Sequence, residues 1–367
     1  MSALLRFLDQ TEVKIFLGWA VAIHLFELIF LPSMIIPAQI LSNLTLTQRL
    51  LQVWTTNADT AHYMLIAKEG YASANPAFFP MLPIVLKIFG ANPVSSKIIS
   101  LLLALIFIIV LKKLIGLFKY SKYSQEITFY FLVFPASFLL VAPFSETLYL
   151  PLSALAIYFA EKRDFAKASI FMAFATATRM IGLVLVFYLF LKIIEKGVNQ
   201  LAKWWWTLLV APLGIILIGV YFQITRGNFL LFYSGHSGWG RSLGISNLEH
   251  LILESKELVL QIFGPVKPVS INLIHFGAIF FFIFLAAIAF KKISKPLWIY
   301  CLLTIIVPLM SGTYSGTPRY LLAAFPLFIP LAKYLENRKA LMYVYIFLTI
   351  FIQAIFLIRF FNFEVAT

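Results

Sequence analysis

The sequence predicts an all-α, polytopic integral membrane protein. Of its 367 residues, 62% are hydrophobic and 12% are charged, and the mean hydropathy is +0.93. Soluble domains contain roughly 45–50% apolar residues, so this chain could not cover its surface with polar groups. Apolar runs of about 17 to 25 residues recur from end to end, and a helix of that length crosses the hydrocarbon core of a bilayer. We therefore expect residues 1–367 to form a single membrane domain.

The apolar runs and their flanking charges predict about eleven transmembrane helices. In chain order they are residues 14–36, 94–116, 124–141, 146–161, 165–178, 180–195, 204–225, 271–291, 296–311, 317–335 and 340–361. The fifth and sixth are short, and the polar residues Thr176, Thr178 and Arg179 separate them, so we expect partly broken helices there. The first run has no clear small-residue cleavage site and is expected to remain as the first helix.

Basic residues mark one side of the membrane. They form five clusters in the short connections: Lys112, Lys113, Lys119 and Lys122; Lys162, Arg163 and Lys167; Lys192, Lys196 and Lys203; Lys291, Lys292 and Lys295; and Lys333, Arg338 and Lys339. With eleven helices, all five clusters fall on the same side, which the positive-inside rule assigns to the cytoplasm. The N-terminus is then cytoplasmic and the C-terminus extracytoplasmic.

The net charge of +14 does not indicate a nucleic-acid-binding protein. The basic residues form short clusters between apolar runs and no continuous stripe, so we expect membrane lipids and no nucleic acid as partners. Cys301 is the only cysteine and lies within an apolar run, which excludes an internal disulfide and a multi-cysteine metal site.

Two long connections, residues 37–93 and 226–270, fall on the extracytoplasmic side. Both mix aromatic residues with isolated charges, glycine and proline. Connections of this length are uncommon unless they are functional. In the first, residues 58–69 are compatible with a helix lying on the membrane, residues 76–83 are not, and residues 84–89 could form a brief apolar turn.

Asp59 and His62 are the first candidate functional residues. They lie one helical turn apart in the helix expected at residues 58–69, next to Tyr63, so the imidazole could orient the carboxylate. Sugar transfer to a hydroxyl requires a general base, and a carboxylate in a partly desolvated cleft suits that role. The alternative is that Asp59 caps the helix and His62 contacts lipid headgroups.

Glu146 and Arg179 are the second candidates. Glu146 begins an apolar run, where a carboxylate is costly unless it is solvated or paired. Equally, it could complement the helix dipole, with Ser145 as the cap. Arg179 lies among apolar residues and needs an anion, and a phosphate suits the planar guanidinium. The alternative for Arg179 is a structural ion pair with Glu146 or Asp59.

Two further arginines lie in extracytoplasmic positions. Trp239 and Arg241 belong to the second long connection, where Trp can cover a sugar face and Arg can hold a phosphate. Trp239 could equally be an interfacial anchor. Arg319 follows Pro318 at the expected start of the tenth helix, a position that attracts anions. Its alternative role is to extend to the lipid headgroups.

Eight short sequence blocks, which contain the candidate residues, occur in an order that resembles the glycosylphosphatidylinositol mannosyltransferase II (PIG-V) family and its prokaryotic relatives, within the GT-C class of membrane glycosyltransferases. The matching blocks span most of the chain. They are residues 59–63, 66–71, 78–83, 135–137, 142–146, 178–182, 239–241 and 318–320. One departure is Ala58, where the family usually has an aromatic residue. The chain is short against the eukaryotic members, which favours a protein of a prokaryotic cell membrane.

The resemblance implies a GT-C-like fold and a hexosyltransferase, with mannose as the expected sugar. The donor would be a polyprenyl-phosphate sugar, the acceptor a lipid or glycan hydroxyl outside the cytoplasm, and the transfer inverting. Asp59 would be the general base, and Arg179, Arg241 and Arg319 would hold the leaving phosphate. The other residues expected to bind substrate or orient the base are His62, Tyr63, Glu146, Trp239 and Tyr320. The leaving group is already ionised, so no cofactor or metal ion is expected.

Two other functional classes fit the composition, namely a lipid or solute transporter and a non-catalytic subunit of a glycosylation complex. Transporters place binding groups near the bilayer midplane and are often built from inverted repeats. The candidate charges in this chain instead cluster at one face, and no inverted repeat is visible, which favours an enzyme. The substitution Asp59→Asn separates an enzyme from a silent subunit, because the subunit should tolerate it.

Overall fold

The structure is a computed structural model that describes residues 10–30, 45–72, 74–236, 244, 247–263 and 271–364. Across these residues the chain consists of helices and their connections, and no strand occurs among them. Several of the helices are long and apolar enough to cross a membrane. The expected all-α membrane fold class is therefore confirmed.

The α-helices are numbered in chain order. They are α1 (Thr11–Phe30), α2 (Leu46–Thr56), α3 (Ala58–Glu69), α4 (Met81–Ile88), α5 (Pro93–Leu117), α6 (Ser124–Leu132), α7 (Ser145–Glu161), α8 (Phe165–Thr176), α9 (Gly182–Ile194), α10 (Gln200–Val210), α11 (Leu213–Arg226), α12 (Leu231–Ser234), α13 (Asn247–Phe263), α14 (Ile271–Ala289), α15 (Lys295–Leu309), α16 (Thr317–Leu321), α17 (Phe328–Leu335) and α18 (Lys339–Phe361). Short 3-10 helices occupy Ser121–Tyr123, Pro135–Val141 and Leu322–Leu327.

Among the described residues, four helices are individually long and apolar enough to span a bilayer: α1, α5, α14 and α18, with 20, 25, 19 and 23 residues. Two bent pairs could each form one broken span, namely α6 with the following 3-10 helix, bent by 87°, and α10 with α11, bent by 41°. By length and composition, the described residues thus contain four to six full spans, fewer than the eleven expected. Each of the eleven predicted segments is nevertheless at least partly helical.

Proline accounts for much of this difference. Phe134 is extended (ψ 136) before Pro135, since a residue that precedes proline avoids the helical region. Pro212 separates α10 from α11, and Pro326 lies in the 3-10 segment that interrupts the tenth predicted helix. Each proline removes a backbone donor and crowds the preceding turn. The length of an apolar run in the sequence therefore overestimates the number of continuous spans.

The first long connection contains the helix expected at residues 58–69, with the same bounds as α3. The expectation that residues 76–83 are not helical is wrong at its end, because α4 begins at Met81 and includes Pro83 in its first turn. Proline is tolerated there because the first turn of a helix has no internal partner for its N–H groups.

The basic connections meet at one end of the bundle. Ion pairs join residues 112–122 to residues 333–339, and residues 162–167 to residues 192–203. The pairs at this end that link different helices or connections include Glu12–Lys112 (2.6 Å), Lys122–Glu336 (2.6 Å), Arg163–Glu195 (3.0 Å) and Glu161–Lys192 (2.8 Å). The assignment of this end to the cytoplasm is an expectation of the positive-inside rule.

Helix α7 runs through the centre of the bundle and connects its two ends. Glu161 is the last residue of α7 and lies at the basic end, whereas Glu146 lies in the first turn at the opposite end. Helices α5 and α8 pack against α7. Small buried side chains allow this close approach; they are Ser153, Ala154, Ala156 and Ala160.

Candidate active site

Asp59 is attached to the bundle by the tight junction between α2 and α3. Asn57, which lies between the two helices, is extended (φ −106, ψ 144), and its side-chain amide donates to the Phe360 carbonyl oxygen near the end of α18. Thr60 Oγ1 donates to the Asn57 carbonyl oxygen at 2.5 Å. The N-cap position belongs to Asn57, and Asp59 lies inside the first turn. The capping alternative for Asp59 is therefore not observed.

Asp59 forms an ion pair with Arg319, which is distant in the sequence. Arg319 Nη1 lies 2.5 Å from Asp59 Oδ2. Helix α16, which carries Arg319, begins after Gly316 in the left-handed conformation (φ 73), a backbone that glycine adopts without strain. The Arg319 side chain is only 12% exposed. It is therefore directed into the protein and does not extend to the lipid headgroups.

Glu146 connects the two arginines. Arg179 Nη1 forms an ion pair with Glu146 Oε1, and Arg319 Nε lies 3.8 Å from the same oxygen. Ser145 Oγ donates to the other carboxylate oxygen, Oε2, at 3.3 Å. The N-cap of α7 is Phe144, so Ser145 does not cap this helix. The ion-pair alternative for Arg179 is present, with Glu146 as its partner.

The tight turn between α8 and α9 positions Arg179. Helix α8 ends at Thr176 and α9 begins at Gly182, as expected for two helices interrupted at this point. A Cβ atom on Gly182 would lie 2.9 Å from Thr176 Cα, so only glycine fits without a backbone shift. Met81 N–H donates to the Ala177 carbonyl oxygen at 3.1 Å. This bond fixes the turn against the first long connection.

Tyr320 packs against both guanidinium groups. The Cζ atoms of Arg179 and Arg319 lie 4.9 and 5.0 Å from the centre of its ring, and Arg319 Nη2 donates to its hydroxyl oxygen at 3.1 Å. Cations at such distances from an aromatic ring are attracted to its face. Tyr320 therefore holds the two arginines close to each other despite their equal charge.

His62 and Tyr63 lie next to this group on α3. The His62 ring stacks on Phe78 with centroids 4.4 Å apart and an interplanar angle of 17°, and Tyr63 meets Phe78 edge-on at 5.1 Å. Burial, with a smaller contribution from Asp59, raises the pKa of Tyr63 well above its usual value, so its hydroxyl stays protonated at alkaline pH values where a free tyrosine ionises. The expected orientation of Asp59 by His62 stays a prediction.

The second long connection packs against the first. Asn75 Nδ2 donates to the Gly235 carbonyl oxygen at 3.3 Å, and a Cβ atom on Gly235 would lie 2.8 Å from the Ala77 backbone nitrogen. This approach brings the beginning of the second connection to the first one. Trp239 and Arg241 themselves lie outside the described residues.

Two supporting side chains were not identified from the sequence. Asn57 precedes a predicted helix, where asparagine is favoured, so its position was a usable signal. Glu254 on α13 accepts hydrogen bonds from Tyr314 N–H at 3.2 Å and from Asn272 Nδ2 at 2.8 Å. The bond to Tyr314 stabilises the turn that precedes Arg319. No pattern distinguishes Glu254 from the other acids of α13.

The cluster therefore combines two carboxylates and two guanidinium groups of nearly balanced charge. Glu146, Arg179 and Arg319 are 2%, 10% and 12% exposed, whereas Asp59 is 25% exposed. Asp59 is thus the most accessible of the four to an incoming hydroxyl. Within the described ranges, no three His, Cys, Asp or Glu side chains are grouped so that they could hold a metal ion.

Comparison with known proteins shows the fold. No protein-family model matches the chain, and no curated protein matches it in sequence. Among solved structures, ArnT from Cupriavidus metallidurans bound to undecaprenyl phosphate matches with a TM-score of 0.52 and 14% identity, over 87% of this chain and 75% of that chain. The Archaeoglobus fulgidus oligosaccharyltransferase in the apo form matches with a TM-score of 0.48 and 15% identity, over 95% of this chain and 56% of that chain.

ArnT has the GT-C fold of membrane glycosyltransferases. The similarity to ArnT confirms the expected GT-C-like fold. The closer relationship to the PIG-V family stays a prediction.

Proposed function

We propose that this protein is a glycosyltransferase that uses a polyprenyl-phosphate sugar and transfers the sugar to a lipid or glycan hydroxyl. The observation that carries the proposal is the convergence of Asp59, Glu146, Arg179 and Arg319 in one partly buried cluster at the end of the bundle opposite the basic connections. The fold shared with ArnT, whose structure contains undecaprenyl phosphate, supports this donor class. Mannose is the proposed sugar by family resemblance.

In the proposed reaction, the acceptor hydroxyl attacks the anomeric carbon on the face opposite the phosphate. The new C–O bond forms while the bond between the anomeric carbon and the phosphate oxygen breaks, and that electron pair leaves with the phosphate. The hydroxyl proton passes to the Asp59 carboxylate. The products are polyprenyl phosphate and a glycoside of inverted configuration.

In this proposal the arginines stabilise the leaving phosphate. Arg179 and Arg319 would bind the phosphate, whose negative charge grows as the glycosidic bond breaks. Glu146, which contacts both arginines, holds them in place. We include no metal ion, because two guanidinium groups can neutralise a leaving group that is already ionised. Arg241 and Trp239 are proposed to complete the phosphate and sugar contacts.

The position of the cluster favours an enzyme over a transporter. Transporters bind substrate near the bilayer midplane, often where helices are broken in two matching halves. Asp59 and Glu146 instead lie in the first turns of α3 and α7, at one end of the bundle. By the positive-inside rule this end is extracytoplasmic, where polyprenyl-linked donors would reach it from the membrane.

The test is sugar transfer by purified protein in lipid nanodiscs. Radiolabelled polyprenyl-phosphate-mannose and native lipid extract are supplied to the wild type, to Asp59→Asn, and to the matched control Asp164→Asn. Asp164 pairs with Lys167 at 2.7 Å at the basic end and is outside the cluster. We expect the wild type and the control to label an acceptor, and Asp59→Asn to be at least about 100-fold slower because the general base is lost.

Two results would contradict parts of this proposal. If the wild type neither transfers nor hydrolyses polyprenyl-phosphate mannose, glucose or galactose with any extract, the glycosyltransferase assignment is wrong. If transfer is robust but Asp59→Asn keeps the wild-type rate, the enzyme assignment stands and another group is the base. Gel filtration of each variant shows whether it is folded.

A further inference from the structure

The three guanidinium nitrogens of Arg319 differ in whether they have a hydrogen-bond partner. Its Nη1 is occupied by Asp59 at 2.5 Å and its Nη2 by the Tyr320 hydroxyl at 3.1 Å. Its Nε is buried and has no hydrogen-bond partner among the described residues, although Glu146 Oε1 lies 3.8 Å away. A guanidinium presents five N–H donors in a fixed fork, so Arg319 retains capacity for a further oxygen ligand.

The two carboxylates that neutralise the arginines differ in how firmly they are held. Glu146 is 2% exposed, belongs to the central helix α7, and contacts both arginines. Asp59 is 25% exposed and belongs to the short helix α3, and among the described residues it forms an ion pair only with Arg319. A ligand that approaches the cluster from the side on which Asp59 is exposed therefore contacts the Asp59–Arg319 pair first.

We propose that the donor phosphate and Asp59 compete for Arg319, so that donor binding exchanges the counter-ion of the arginine and releases the Asp59 carboxylate. This inference rests on the proposed function. The donor phosphate is a diester with one negative charge and two non-bridging oxygens, so it can replace the Asp59 carboxylate on the guanidinium fork. The monoester that forms when the glycosidic bond breaks carries a larger negative charge and binds the fork more strongly. Glu146 stays bound during the exchange and keeps both arginines in place.

The exchange orders the reaction. Before the donor binds, Asp59 Oδ2 is paired with Arg319, and this oxygen is less available to accept a proton from a hydroxyl. After the phosphate takes Arg319, that oxygen is free beside the anomeric carbon. Departure of polyprenyl phosphate restores the Asp59–Arg319 pair. The oxygen that faces Arg319 thus becomes available as the base when a donor occupies the site.

The test measures binding of radiolabelled undecaprenyl phosphate, without any turnover. The apparent affinity of a ligand is reduced by the fraction of protein that is not competent to bind. If the pair is closed about nine-tenths of the time, Asp59→Asn should bind undecaprenyl phosphate about tenfold more tightly than the wild type. The matched control Asp164→Asn should bind as the wild type does, and undecaprenol, which lacks the phosphate, should not distinguish the variants.

A double-mutant cycle separates competition for Arg319 from simple repulsion between Asp59 and the phosphate. In the Arg319→Gln background, the gain from Asp59→Asn should disappear, because no shared arginine is left. If the gain persists in that background, repulsion explains it and the exchange is wrong. Equal or weaker binding by Asp59→Asn also overturns the exchange while the proposed function stands. No phosphate-dependent binding by any variant overturns both.

Discussion

Removing the charge of Glu146 is the most informative perturbation of this site. Glu146 is 2% exposed and contacts Arg179 and Arg319, which are 10% and 12% exposed. In Glu146→Gln, Asp59 would be the remaining carboxylate of the described cluster for two buried guanidinium groups. Breaking a buried ion pair costs about 3–5 kcal/mol, because the other charge is left uncompensated. Glutamine keeps a polar contact, so we expect a loss of about 3 kcal/mol in the free energy of unfolding.

The measurement is reversible unfolding in mixed detergent micelles, with the helix signal followed against denaturant. Glu146→Asp keeps the charge and should recover most of the lost stability. The comparison variant is Glu336→Gln, whose carboxylate pairs with Lys122 at 2.6 Å at the basic end but is solvent-exposed. An exposed ion pair contributes little, so this variant should unfold like the wild type.

Sugar transfer by Glu146→Gln should fall together with stability, because the two arginines lose their common partner. A loss of stability below about 1 kcal/mol, a value typical of exposed pairs, would refute this reasoning. It would mean that solvent already screens the cluster and that Glu146 does not hold the arginines.

Three further predictions concern the surroundings of the cluster. Gly182→Ala should reduce both stability and transfer, because its Cβ would lie 2.9 Å from the backbone of α8 in the turn that carries Arg179; unfolding and transfer assays measure this. Asn57→Ala should cost about 0.5–1.5 kcal/mol in unfolding assays, because the Phe360 carbonyl oxygen loses one donor but keeps the Phe363 N–H. Tyr63 has a raised pKa in the folded protein, so the stability it contributes is fully present below pH 10 and decreases as the pH rises above that value. Tyr63→Phe should therefore weaken the alkaline loss of stability, measured by unfolding between pH 8 and pH 11.

Much of the site was predictable because charges are rare in apolar surroundings. A charged residue next to an apolar run is costly, so Glu146, Arg179 and Arg319 stood out without any structural information. The helix that carries Asp59 was predicted with the observed bounds because its ends coincide with clear local signals. The ion pair between Asp59 and Arg319 was not predicted, because it depends on how segments that are distant in the sequence pack together.

The sequence by itself determined the membrane class, the extent of most apolar segments and the common side of the basic connections. Each of these properties depends on the composition of consecutive residues, so a short stretch of sequence is enough to predict it. Only the tertiary structure decided which carboxylate meets which arginine and which apolar runs break into bent or short helices. Those outcomes depend on packing between helices and on prolines such as Pro135 and Pro212, whose effect is set by whether a neighbouring element stabilises the bend.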